Sequence, residues 1–171
     1  GGYVCLEYAR RHPARCEQLI LISPLFSPRQ LSPVIYNLLR RTTLTEKALQ
    51  LAPTGILTNA LRLSPLIKAP IPPHLCHQKA EDFKRADPAV MRIPASIMDL
   101  TVELNSIQVP TFVIWGQNDL TLNPALFSDL VLRLPFASGK ALKHTGHQPH
   151  IQCPELVLPL ILEFLSQKAS I

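Results

Sequence analysis

The sequence predicts an α/β protein built on a parallel sheet with helices on its faces. Two short apolar runs, 18–23 and 111–115, show no polar alternation, which is typical of strands buried on both faces of such a sheet. A helix pattern precedes the first run, and helix and buried strand in succession are the units of this architecture. The chain has 171 residues, 47% of them hydrophobic, which is enough for one globular core.

The first segment is predicted to hold a helix followed by a buried strand. Residues 3–11 show the helix pattern, and the strand follows at 18–23. The predicted buried face of the helix consists of Val4, Cys5, Tyr8 and Ala9. Arg10 and Arg11 suit its last turn, where cations favour the helix dipole, and Pro13 ends it.

Residues 27–100 have a different character, because they are rich in proline and hold no strand candidate. Short helices are predicted at 31–41, 44–51, 54–63, 75–86 and 88–98. Asp87 and Pro88 are typical of a helix start, whereas Pro94 is expected to kink or split the last of these helices. Residues 69–73 are predicted to form an extended connector. We therefore expect a helical insertion here.

The α/β pattern returns in the C-terminal third of the chain. It predicts a strand at 111–115, a helix at 124–133, a strand at 140–143 and a closing helix at 155–167. Asn123 is expected to cap the first of these helices, and Pro159 to kink the second. A lysine at each end of the short strand is one way in which natural sheets protect an edge. The patterns divide the chain into an α/β segment at 1–26, a helical insertion at 27–100 and a second α/β segment at 101–171.

Composition and charge argue against several classes of function. The net charge is +5 and the pI is about 9.2, but no basic run alternates with aromatic residues, so nucleic-acid binding is not expected. No stretch reaches the apolar length that spans a bilayer, since Pro159 and Glu163 interrupt the richest one, 156–165. A small molecule is the expected partner, and the oligomeric state stays open.

Neither the cysteines nor the histidines show a metal-binding pattern. The cysteines are Cys5, Cys16, Cys76 and Cys153. They contain no C-x-x-C pair, which favours free thiols in a reducing compartment and hence a cytoplasmic protein. His144, His147 and His150 recur every three residues. Gly146 and Pro149, however, disfavour the helix that metal binding at this spacing would need. We expect no metal and no cofactor.

Asp119 and His147 are the strongest candidates for functional residues in the sequence. Asp119 follows the predicted strand 111–115, and His147 follows the next predicted strand. Because the carboxyl ends of parallel strands meet at one edge of the sheet, the two loops are expected to lie side by side. An aspartate that accepts from one imidazole nitrogen leaves the other nitrogen to act as a base. Either residue alone could be a turn or structural residue, but the two together fit the end of a Ser…Asp…His series.

Four segments in this order resemble the C-terminal part of the α/β-hydrolase superfamily. Gly1–Ala9 resembles the segment after the nucleophile elbow, and His12–Pro24 resembles the helix end and sixth strand. Ile107–Asp119 is similar to the seventh strand and acid loop, and Gly146–Glu155 to the histidine loop and last helix. The resemblance implies a C-terminal part of an α/β-hydrolase fold, in which residues 27–100 stand where the family carries its cap.

The resemblance also implies roles for individual residues. Asp119 would be the acid and His147 the base of a catalytic triad, with Gly1 and Gly2 as the remnant of the G-x-S-x-G elbow. The serine nucleophile is then expected two residues before Gly1, and the oxyanion donors outside this chain. Some relatives place the acid after the sixth strand, but the residues there, 23–26, contain no acid. Asp99 and Asp129 are also poorly placed.

Two functions from different classes remain open. In the first, the intact parent is a serine hydrolase that cleaves an ester or related acyl bond without a cofactor, and this chain alone is expected to be inactive. An aspartate nucleophile, as in related epoxide hydrolases and dehalogenases, is an alternative; the epoxide enzymes usually take two cap tyrosines, and residues 27–100 offer only Tyr36. In the second, the chain is a non-enzymatic binding module or degenerate relative.

Overall fold

The computed structural model describes residues 1–40, 50–63 and 73–167. Its described strands form one parallel sheet in the order β1–β2–β3. The strands are β1 (Leu19–Ile22), β2 (Thr111–Gly116) and β3 (Ala137–Leu142). Thr111 of β2 lies opposite Leu19 on one side and Ala137 on the other. Parallel strands with flanking helices confirm the predicted fold class.

Helices connect and cover the strands. They are α1 (Gly2–Arg11), α2 (Pro33–Arg40), α3 (Thr54–Leu63), α4 (Pro73–Arg85), α5 (Ile93–Ser96), α6 (Ala125–Arg133), α7 (Pro149–Gln152) and α8 (Pro154–Ser166). Short 3₁₀ turns occur at Pro13–Arg15, Pro28–Gln30, Pro88–Arg92 and Leu104–Ser106. Across the part of the chain that the structure describes, no helix is both long enough and apolar enough to cross a membrane.

The helices between β1 and β2 follow the sequence prediction with one exception. The helix predicted at 54–63 has these bounds, and those predicted at 31–41 and 75–86 are each displaced by one or two residues. Residues 88–98 do not form one continuous helix, because a 3₁₀ turn and the short helix α5 replace it, which agrees with the split expected at Pro94. Pro94 lies in the first turn of α5, where its missing N–H is not needed, so the chain restarts a helix there. Most of 44–51 and of 69–73 lies outside the described residues.

The buried face of α1 differs from the prediction. Val4 is 68% exposed and Tyr8 is also exposed, whereas Leu6 and Ala9 are fully buried. The reason is the close packing of Gly2, where an added Cβ would lie 2.5 Å from the Cβ of Pro24. This close approach fixes the rotation of α1 about its axis. The face of the helix that packs against the core is therefore not the face predicted from the spacing of its apolar residues.

β3 is longer than predicted and begins earlier. Only Leu142 at its end is buried, so the strand shows almost no hydrophobic pattern in the sequence. Gly139 lies against Trp115 of β2 and Val131 of α6, where an added Cβ would be 2.7 Å from the Cγ2 of Val131. Of the two lysines predicted to end the strand, Lys140 lies inside it and Lys143 just beyond it. Partners on β2 and α6, rather than local pattern, therefore define β3.

The core lies on both faces of the central strand. Val113 and Trp115 pack on one face with residues of α1, β1 and α6. Phe112 and Ile114 pack on the other face against Val157 of α8 and its neighbours. α8 begins after Cys153 and contains Pro159. The apolar run at 111–115, which has no alternating polar residues, predicted this burial on both faces.

Candidate active site at the ends of two neighbouring strands

Asp119 lies in the loop that follows β2. Its backbone N–H donates to the carbonyl oxygen of Gly116, and its side chain is fully buried. The Oδ1 atom accepts hydrogen bonds from the backbone N–H groups of Thr121 at 2.8 Å and Leu122 at 2.9 Å. Two amide donors hold the carboxylate in one orientation. The second oxygen, Oδ2, is left for another partner.

His147 supplies that partner from the loop that follows β3. Its Nδ1 atom lies 2.8 Å from Oδ2 of Asp119. A carboxylate can only accept, so the Nδ1 atom must carry the proton, and Nε2 is then free to accept one. The Asp119 side chain has no exposed surface, whereas the His147 side chain is 33% exposed. The pair therefore has a buried acid and a histidine that can reach a reactant.

Gly116 brings the acid loop and the histidine loop together. A Cβ at this position would lie well inside contact distance of the carbonyl oxygens of Thr145 and Gly146. The adjacent backbone is tied by two hydrogen bonds, from Asn118 N to Thr145 O at 2.9 Å and from Gln117 N to Leu142 O at 2.9 Å. Only glycine permits this approach, and without it the two side chains could not meet at 2.8 Å.

Hydrogen bonds from α7 and the residue after it hold the histidine loop in place. Gln152 accepts a 2.7 Å hydrogen bond from the backbone N–H of Gly146 through its Oε1 atom. The Thr145 hydroxyl lies 3.6 Å from the Cys153 sulfur, which also donates to the carbonyl of Pro149. These contacts fix the backbone on either side of the loop tip. Local sequence pattern does not indicate these roles, because Gln152 and Cys153 contact groups of the preceding loop.

The acid loop is braced from its other side by Gln30, which sequence reasoning missed. Its fully buried side chain accepts from the N–H groups of Phe26 and Ser27 and donates to the carbonyl of Pro24. Its backbone carbonyl accepts from Asn123 N at 2.8 Å. The S-x-x-Q spacing from Ser27 to Gln30, a capping-box pattern, was the available signal. A cavity of about 370 Å³ opens at this junction.

A cation from α4 reaches the histidine loop. The Nζ atom of Lys79 donates to Oε1 of Gln148, the residue directly after His147. Burial lowers the pKa of Lys79, although Cys76 opposes this. Partial desolvation, with the charges of Lys79 and His147, also lowers the pKa of His150. The sequence offered no signal for this contact, because Lys79 and Gln148 are 69 residues apart.

The remaining predicted positions lie as follows. Gly1 precedes α1 and its carbonyl accepts from Cys5 N at 3.1 Å, while Gly2 packs against Pro24 as described above. Ser23, directly after β1, is buried with a φ of 42°, and its hydroxyl has no partner within the described chain. The structure therefore places the two glycines beside the end of β1, at the same edge of the sheet as the acid loop.

The two other acids considered in the sequence have structural partners elsewhere. Asp129 lies in α6, where its Oδ2 atom pairs with Arg133 at 2.8 Å. Asp99 pairs with Arg29 at 3.1 Å and accepts from Thr101. Burial would raise the pKa of Asp99, but the Thr101 and Ser27 hydrogen bonds together with Arg29 outweigh it and lower that pKa. Neither acid contacts His147.

No group of three potential metal ligands occurs among residues 1–40, 50–63 and 73–167. His144 adopts a φ of 58°, which is incompatible with a helix that would align the three histidines. The four cysteines are free, with Cys76 and Cys153 buried, Cys16 half-buried and Cys5 exposed.

The chain is similar in sequence to a lipase and to a methyl ester esterase. It is 25% identical to monoacylglycerol lipase abhd6-B of Xenopus laevis over 99% of its own length, and 30% identical to the pimeloyl-[acyl-carrier protein] methyl ester esterase of Nitrosomonas europaea over 91%. The chain spans 53% and 64% of the length of these two relatives. No family model matches the sequence.

Solved structures show the same fold. A thermophilic esterase from Thermogutta terrifontis superposes on 99% of this chain with a TM-score of 0.71, at 22% sequence identity, and the match covers 62% of the esterase. The chain therefore has the fold of the C-terminal part of an α/β-hydrolase, and its sequence is similar to enzymes of that superfamily.

Proposed function

We propose that this chain carries the acid and the base of a catalytic triad in an α/β-hydrolase that cleaves an ester or a related acyl bond. The observation that carries the proposal is the 2.8 Å contact between His147 Nδ1 and the buried Asp119 carboxylate. Its position at the carboxyl ends of neighbouring parallel strands is where catalytic groups gather in open α/β sheets. The similarity to a lipase and a methyl ester esterase supports the same reaction class.

The two residues would act together with a serine nucleophile. His147 Nε2 would take the proton of a serine hydroxyl as it attacks the acyl carbon, and would return it to the leaving alcohol. Asp119 would hold the imidazole in the Nδ1–H tautomer and stabilise the imidazolium that forms. In keeping with the family resemblance, we place that serine two residues before Gly1, with residues 27–100 as the cap that shapes the acyl pocket.

Ester hydrolysis by the natural protein tests the proposal. 4-Nitrophenyl butyrate is the substrate, and His147→Gln is compared with His74→Gln, an exposed histidine on α4. Loss of the base is expected to lower kcat by on the order of 10⁴-fold or more. The control should stay within about twofold of the unmodified protein, because surface substitutions have small effects.

A covalent probe separates the alternatives. A fluorophosphonate that labels the natural protein, with labelling lost in His147→Gln, would support a serine nucleophile. Hydrolysis of an alkyl halide or epoxide without fluorophosphonate labelling would point to an aspartate nucleophile. Absence of both labelling and turnover would refute the proposal and favour the non-enzymatic binding module.

A further inference from the structure

Lys79 places a positive charge next to the proposed catalytic base. It lies in α4 and donates to the side-chain oxygen of Gln148, whose backbone is continuous with His147. Its electrostatic influence extends to His150 in α7, the short helix that follows the loop. A residue from the segment between β1 and β2 thereby reaches the histidine loop, 69 residues away in sequence.

The hydrogen-bond partner of Lys79, the side-chain oxygen of Gln148, is uncharged. Within the described ranges, no carboxylate lies within ion-pair distance of its ammonium group, and the nearest acid along α4, Glu81, is paired with Arg85. Lys79 is half-buried, so it has lost part of its hydration without gaining a counter-charge. Removing a charge from water in this way is unfavourable unless an opposite charge approaches.

The proposed reaction adds a second positive charge to this part of the molecule. His147 would become positively charged when it accepts the nucleophile's proton, so that two cations, His147 and Lys79, would lie within electrostatic range of His150. A substrate with its own negative group beside Lys79 would neutralise the ammonium group. A neutral substrate would leave the ammonium group without a counter-charge.

We propose that Lys79 is a specificity-determining residue that binds a negatively charged oxygen group, a carboxylate or a phosphate, on the substrate. The Gln148 amide, whose oxygen Lys79 holds, still has N–H donors for the same anion, since none of the described residues accepts from them. This inference rests on the proposed function, because it assigns a substrate class to that same site.

Paired esters of similar length test the inference. The natural protein is assayed with 4-nitrophenyl hydrogen succinate, which is acidic, and 4-nitrophenyl butyrate, which is neutral. Lys79→Met is expected to lower kcat/KM for the acidic ester by roughly tenfold or more, mainly through KM, because a charge pair near a protein surface is lost. Hydrolysis of the neutral ester should be unchanged or faster. Lys79→Arg, which keeps the charge, should retain most of the preference.

Lys84→Met is the matched control, since Lys84 lies on the same helix, five residues after Lys79 and in its last turn. It should leave the ratio of the two kcat/KM values unchanged. Equal losses on both esters in Lys79→Met would mean that Lys79 acts only on the fold, and no loss on either would mean that it does not meet the substrate. Both results would overturn the inference.

If the natural protein hydrolyses neither ester, the proposed function fails, but a binding measurement still tests the inference. The His147 and His150 imidazole signals are followed by NMR during titration with succinate and with inorganic phosphate. A shift that is weakened in Lys79→Met supports the anion site, and the anion that binds more tightly identifies the group. No shift with either anion, or equal shifts in the variant, would refute it.

Discussion

Both oxygens of the Asp119 carboxylate are engaged, and by different kinds of group. Two backbone amides hold Oδ1, and the His147 ring holds Oδ2. The amides belong to the same loop as Asp119, so the loop orients its own acid. This local arrangement explains why a short segment, Gly116 to Leu122, is enough to present a buried carboxylate at a fixed angle.

The tautomer of His147 is the first property that this arrangement predicts. Neutral His147 is expected to carry its proton on Nδ1, because the carboxylate can only accept. In Asp119→Asn the amide nitrogen can face Nδ1, which favours the Nε2–H tautomer and removes the free base. Ring ¹⁵N chemical shifts measure this directly. Asp129→Asn, which alters an exposed acid on α6, should leave the shifts unchanged, and an Nε2 proton in the unmodified protein would contradict the account.

At the residue scale, the sequence indicated the pair but not its surroundings. Asp119 could be found because it follows an uninterrupted apolar run, and His147 because it follows Gly146 shortly before the predicted last helix. The capping-box spacing of Gln30 does not indicate its contact with Asn123, and nothing local indicates the contact of Lys79, because only the folded chain brings these partners close. The proposed catalytic residues are indicated by local context, whereas the residues that position them are indicated by tertiary contacts.

At the scale of elements, the two buried strands were predictable, whereas the outer one was predicted with the wrong bounds. β1 and β2 are apolar without interruption, so burial on two faces is visible in the sequence. β3 is mostly exposed, and its start at Ala137 is set by pairing with Thr111 rather than by its own side chains. The rotation of α1 was also hidden, since it depends on the contact of Gly2 with Pro24.

Gly116 is the position at which one element joins two loops, and Gly116→Ala is expected to separate them. The added methyl group would meet the backbone of Thr145 and Gly146, which cannot move without displacing His147. We expect a loss of about 3 kcal/mol in the free energy of unfolding, at the upper end of overpacking effects. Urea unfolding measures the loss, and ester hydrolysis should fall with it.

Gly55→Ala is the control for this substitution. Gly55 lies in α3 with nothing within 4 Å of the added methyl group. Replacing a helical glycine there should be neutral or stabilising by up to about 1 kcal/mol. If the two variants unfolded at the same urea concentration, the proposed role of Gly116 in joining the loops would be wrong.

At the scale of the whole molecule, several large apolar side chains remain exposed. On α8 they are Leu156, Leu158, Leu162 and Leu165, each at least 50% exposed. Val4 and Tyr8 of α1 are exposed as well. Four leucines on one short helix form the kind of apolar surface that soluble monomers usually cover.

The 171-residue chain tested by itself is therefore expected to associate or to lack a firm tertiary structure. Sedimentation should show species larger than a monomer, and a hydrophobic dye should bind. Replacing Leu158 and Leu162 by glutamate should reduce both effects, whereas Leu132→Glu, an exposed leucine on the different helix α6, should not. A monodisperse monomer with a sharp, cooperative thermal transition would contradict this expectation.

The measurement that tests the central claim most directly is a double-mutant cycle on the natural protein. kcat/KM for an ester is compared in the unmodified protein, Asp119→Asn, His147→Gln and the double variant. If the acid works only through the base, the double variant should be about as impaired as His147→Gln alone, because members of one catalytic unit are strongly non-additive. Losses that multiply, or single variants that keep nearly full activity, would show that Asp119 and His147 do not form a catalytic pair.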